Sequence, residues 1–74
     1  MLKAHLTRDV WDKEDTLTGT FKDDGEATRW AVNAVGFYHP VRAVIMTAVN
    51  NDRMEITFFG ANDKRVGFLF ISEI

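Results

Sequence analysis

Few side chains in this chain could do chemistry, and their spacing argues against most of it. The histidines are His5 and His39, and neither has a second ligand at metal-binding spacing. A histidine-activated nucleophile needs a positioned Ser, Thr or Cys. Ser72 is the only serine, cysteine is absent, and no spacing links a threonine to a base. No nucleotide motif stands out. The expectation is a non-enzymatic protein with no cofactor and no metal site.

The carboxylates are unevenly spread. Asp9, Asp12, Glu14, Asp15, Asp23, Asp24 and Glu26 share one stretch with only Lys13 and Lys22, which leaves it at −5 in a chain of net charge −2. Catalytic carboxylates need a dry, concave pocket, which a domain of 74 residues rarely builds. Asp12-Lys13-Glu14-Asp15 also lacks the calcium-loop pattern. Solvated turns and helix caps account for such residues in most proteins. The functional expectation is an acidic partner-binding edge made of Asp9, Asp12, Glu14, Asp15, Asp23 and Asp24.

The elements that must position these groups read as β-β-α-β-β-β. Leu2, Ala4 and Leu6 alternate with polar residues, so a first strand begins there and runs on towards Trp11. Asp12 to Asp15 reads as a turn. Thr16 to Lys22 reads as a second strand, with Leu17, Gly19 and Phe21 on one face and Thr18 and Thr20 on the other. The period then lengthens. Ala27, Trp30, Ala31, Ala34 and Val35 mark one face of a helix over Asp24 to Val35, capped by Asp23 and ended by a left-handed Gly36.

Three strands fill Val41 to Ile74. A loop at Gly60-Ala61-Asn62-Asp63-Lys64 sets Phe59 opposite Arg65, so that Phe58, Ile56 and Met54 meet Val66, Phe68 and Phe70. A loop at Asn50-Asn51-Asp52 sets Val49 opposite Arg53 and brings Val44, Met46 and Ala48 to the same inner face. The helix is expected there, with Trp30 against Met46, Ile56 and Phe68. The other face then gathers Ile45, Val49, Phe59, Leu69 and Ile71, rimmed by Arg53 and Arg65. It is a candidate partner or homodimer face.

Arg65-Val66-Gly67-Phe68-Leu69-Phe70-Ile71 resembles the basic-glycine-aromatic strand of RNA-recognition sheets over less than a tenth of the chain. A valine separates the basic residue from the glycine, and a second helix is missing. The inner-face register also buries Phe68 and Phe70, and buried rings cannot stack on bases. The chain is therefore assigned to no family.

Composition sets the outer bounds. Hydrophobic residues make up 46% and charged residues 27%, an ordinary globular balance for one small α+β domain spanning residues 1–74. A chain of this size buries only roughly 60% of its unfolded surface, and no disulfide reinforces it. There is no signal-peptide pattern and no apolar run long enough for a bilayer, so a cytoplasmic protein without membrane association is expected. Acidic net charge disfavours direct nucleic-acid binding.

Together these features suggest a small acidic protein-interaction module. Phage and mobile-element inhibitors of bacterial defence, including anti-CRISPR proteins, are a class of that kind. The partner would be a larger protein or nucleoprotein complex whose basic surface is occluded. The alternatives are a nucleic-acid-binding regulator using Arg42, Arg53, Lys64 and Arg65, and a small-ligand-binding domain or enzyme with a site between helix and sheet.

Overall fold

The computed structural model describes residues 1–11, 13–49 and 53–74. Five antiparallel strands form one sheet, and one helix lies on one of its faces. The strands are β1 (Leu2–Val10), β2 (Lys13–Phe21), β3 (Ala43–Val49), β4 (Arg53–Phe59) and β5 (Arg65–Glu73). The helix α1 (Asp24–Gly36) follows β2. Spatial order is β2-β1-β5-β4-β3, so the last strand in sequence is the middle one in space. The expected α+β class and element order are therefore observed. Among the described residues no helix is long and apolar enough to cross a membrane.

The N-terminal hairpin has the expected faces. Leu2, Ala4 and Leu6 stand opposite Phe21, Gly19 and Leu17, while Thr16, Thr18 and Thr20 point to solvent. Part of the expected turn at Asp12 to Asp15 is strand instead. Lys13, Glu14 and Asp15 belong to β2, opposite Val10, Asp9 and Arg8. Trp11 takes a left-handed φ of 67° just after β1. Asp12 lies outside the described residues.

The helix starts as the capping pattern requires. Asp23 Oδ1 accepts the Glu26 backbone N–H at 2.8 Å. Ala27, Ala31 and Val35 are buried on the sheet. Its end differs from expectation, because no glycine among the described residues has a positive φ. The helix closes through right-handed Phe37, whose N–H donates to Asn33 O, while Tyr38 and His39 donate to Val35 O. Trp30 is also displaced from its expected neighbours. The helix lies across β2, β1 and β5, so Trp30 is half-buried over Gly19 and packs on Phe21 at 5.0 Å between ring centroids.

Two bulges reset the C-terminal registers. Phe59 does face Arg65, but Val66 is then an extra residue. Phe58, Ile56 and Met54 consequently meet Gly67, Leu69 and Ile71. Gly67 explains why. A Cβ there would lie 2.7 Å from Val35 Cγ2 and 3.2 Å from Phe58 Cδ2. Only glycine lets the last turn of the helix come so close, so this strand must turn its Gly67-Leu69-Ile71 side to the helix. Phe68 and Phe70 go to the opposite face. In β3, Thr47 is the extra residue, and its hydroxyl donates to Glu55 O at 3.2 Å. Val44 and Met46 still meet Phe58 and Ile56, but Ala48 and Val49 pair with Glu55 and Met54. The Asn50-Asn51-Asp52 loop lies outside the described residues.

The core is Ala4, Leu6, Ala27, Ala31, Val35, Ile56, Phe58, Val66, Leu69 and Ile71. Of the inner set expected from β3 to β5, only Ile56, Phe58 and Val66 are buried. Val44 and Met46 point to the helix side but lie beyond the helix.

Candidate interaction surfaces

The acidic stretch is not one surface. Glu14 and Asp15 lie at the start of β2, and Asp23 and Asp24 lie beyond its end, roughly 25–30 Å away along the strand. Three of the expected edge residues, Asp9, Asp15 and Asp23, also have internal partners. Arg8 donates from Nε to Asp15 Oδ1 at 2.7 Å and from Nη2 to Asp15 Oδ2 at 3.0 Å. That pairing holds the Asp15 carboxyl below the usual aspartate range and raises the Arg8 guanidinium above its ordinary value. The third Arg8 bond, Nη1 to Ala34 O at 2.8 Å, satisfies a carbonyl in the last turn of the helix. No basic residue of α1 itself lies there, so β1 supplies the cation that the helix C-terminus favours. The guanidinium also lies over the Tyr38 ring at 4.7 Å.

Asp9 stands opposite Glu14, an unfavourable like-charge pair. Lys64 Nζ relieves it at 3.2 Å from Asp9 Oδ2, and His39 Nε2 comes within 3.4 Å of the same oxygen. Asp23 caps the helix. Asp24 and Glu14 are exposed. The structure therefore divides Asp9, Asp15 and Asp23 from a common acidic edge by giving each a partner of its own.

The expected second face is also redistributed. Leu69 and Ile71 are core residues under the helix, at 0% and 2% exposure. The Val66 bulge is the reason. Val49 has moved to the helix side through the Thr47 bulge. Ile45, Phe59, Arg53 and Arg65 remain on the side away from the helix.

Two surfaces emerge instead. The first is β3, an edge strand that the helix does not reach. Val44, Ile45, Met46 and Val49 are 45%, 50%, 53% and 58% exposed, so both of its faces are apolar and open. The second is the helix-free face of β5. Phe68 and Phe70 are half-buried there, with Thr7 and Thr57 beside Phe68 and His5 and Glu55 beside Phe70. Arg53 lies over the Phe70 ring at 5.8 Å. A groove of about 300 Å³ runs beside Phe68, with Trp11, Lys13, Lys64 and Arg65 in its walls.

Sequence reasoning missed Val44 and Met46 as surface residues and Phe68 and Phe70 as residues of the helix-free face. The readable signal was Gly67, a glycine inside a strand, which often marks a bulge or a close approach. Among the described residues no group of three or more His, Asp or Glu side chains could hold a metal ion. Comparisons with protein-family models, curated proteins and solved structures find no match to this chain.

Proposed function

We propose that the chain is a protein-interaction module that docks through β3, taking an extended segment of a partner protein as a sixth strand. One observation carries this reading: a seven-residue edge strand without a charged side chain exposes four large apolar side chains. An open strand edge offers main-chain hydrogen bonds to an incoming strand, and alternate side chains supply specificity. Apolar groups on both faces of β3 suit a partner that also folds over the strand. Scattered and internally paired carboxylates favour this edge over charge-based occlusion. Blocking a larger complex remains the natural use for so small a module, with the blocked segment lying along β3.

A photo-crosslinking residue placed at Ile45, with one at Thr18 as the control, tests the edge in the cells that make the protein. The expected result is a partner captured at position 45 only, through a segment whose binding slows hydrogen exchange of the Ala43–Val49 amides. Equal capture at both positions, or unprotected β3 amides in the complex, sinks the reading. Sedimentation of the purified protein addresses a second copy. Self-association abolished by Met46→Lys would assign β3 to a homodimer and displace the heterologous partner.

A further inference from the structure

The helix-free face offers a separate site. We propose that it binds single-stranded nucleic acid, with Phe68 and Phe70 as its stacking platform. The two rings lie two residues apart on the middle strand, and the Val66 bulge turns both away from the helix. They are half-buried, so the sheet holds them while part of each ring stays open. The neighbours of Phe68 are the short side chains of Thr7 and Thr57, the second only 6% exposed. His5 and Glu55 flank Phe70 and carry the donors and acceptors that can reach base edges.

The charge around these rings differs from that of the chain as a whole. Five of the nine basic residues border the face. Lys3 and Arg53 stand across Ser72 from each other at one end, and Lys13, Lys64 and Arg65 line the groove at the other. Among the described residues Asp9, Glu14 and Glu55 oppose them, and Asp9 is already paired with Lys64. Four other acidic groups are placed away from the rings. Asp15 holds Arg8, and Asp23, Asp24 and Glu26 belong to the helix start. Arg53 over Phe70 shows that this ring accepts a planar cation on its face, and a base can take that position or lie between the two groups. Trp11, 66% exposed, borders the groove, and its ring packs edge-on against Tyr38 at 4.9 Å.

Rings framed by cations suit unpaired bases on a phosphate chain better than an aliphatic protein segment, for which β3 is the better surface. A duplex hides its base faces, so single strands are the class favoured. Stacking alone is sequence-tolerant, so no strong base preference is expected.

Fluorescence anisotropy with labelled oligo-uridine and oligo-thymidine of about 12 nucleotides, close to one domain's site size, provides the test. Saturable binding is expected with one or both, weaker at about 200 mM than at about 50 mM salt because phosphate contacts release counterions. Phe68→Ala and Phe70→Ala should each weaken it by about 5- to 150-fold, the range of one lost base stack. Phe68→Tyr and Phe70→Tyr should restore it, since tyrosine keeps the ring, and circular dichroism should show all four variants folded. Met46→Lys should bind as wild type, which separates this site from β3. Lack of saturation by roughly 100 µM, the weak end of non-specific binding, overturns the proposal. So does unchanged affinity in both alanine variants, or a duplex that competes as well as the single strand.

Discussion

The sheet has two edges, and they are built oppositely. At β2, the helix covers one face through Trp30 on Phe21 and Gly19, and threonines cover the other. Lys13, Glu14 and Asp15 open the strand with charge, and Arg8 ties Asp15 to the helix end. At β3, no helix lies above, no charge interrupts the strand, and apolar side chains stand on both faces. A lone helix of 13 residues spans three strands here, so a five-stranded sheet must leave some of itself bare. The bare part is also its most apolar edge. Sheet edges are normally blunted by charge, by cover or by brevity. One edge of this protein follows that rule and the other breaks it, and such an exception is where a partner is expected.

Substitutions sharpen that contrast. Leu69 and Met46 point to the same side of the sheet, one under the helix and the other beyond it. Leu69→Ala should cost about 2–5 kcal/mol in chemical denaturation, the range for a fully buried leucine. If it costs no more than a surface change, the helix does not cover the middle strand as described. Arg8→Ala should follow, at about 1.5–3 kcal/mol, for the lost bond to the Ala34 carbonyl and the packing on Tyr38. Hydrogen exchange should then rise in β2 and the last helical turn together, while β3 exchanges as before. Faster exchange confined to β2 would count against a tether between strand and helix.

The same tether has a pH signature. Pairing with Arg8 depresses the Asp15 pKa below its ordinary value of 3.8. Its contribution is therefore fully present above 3.8 and fades as the pH falls below that value. Asp15→Asn should lower the melting temperature at pH 7 and flatten the loss of stability between roughly pH 4 and 2. Parallel acid limbs in wild type and variant would show that Asp15 is not the group that titrates. Asp15 is partly solvent-exposed, so this effect should be smaller than that of Arg8→Ala.

Local features were legible in the sequence and long-range ones were not. The Asp23 cap, the Ala27-Ala31-Val35 face and the Phe59–Arg65 turn each depend on residues within a few positions of one another. The Val66 bulge depends on Val35, which belongs to another element. Both sets of alternate residues in β5 are apolar, Val66-Phe68-Phe70 and Gly67-Leu69-Ile71, so alternation alone could not choose between them. The close approach at Gly67 chooses. That one choice moved Leu69 and Ile71 from a partner face to the core and brought Phe68 and Phe70 out. Pairing of β1 with β5 has the same character. It put the N-terminal hairpin beside the last strand, and the helix over β2, β1 and β5 went with it.

The smallest expected effect is the most telling about β3. Met46→Lys puts a flexible cation on a side chain that is already 53% exposed, so monomer stability should change by only about 0.5 kcal/mol or less. Charge on an edge strand is also how sheets avoid unwanted pairing. The variant should therefore remain soluble and folded while losing the partner proposed for β3, and purified wild type should be the more prone of the two to aggregate on concentration. A destabilisation of roughly 2 kcal/mol or more would have a different meaning. It would show that Met46 is packed in the folded chain in solution, as a core methionine would be. The β3 edge would then be covered by the protein itself, and the contrast between the two edges would disappear.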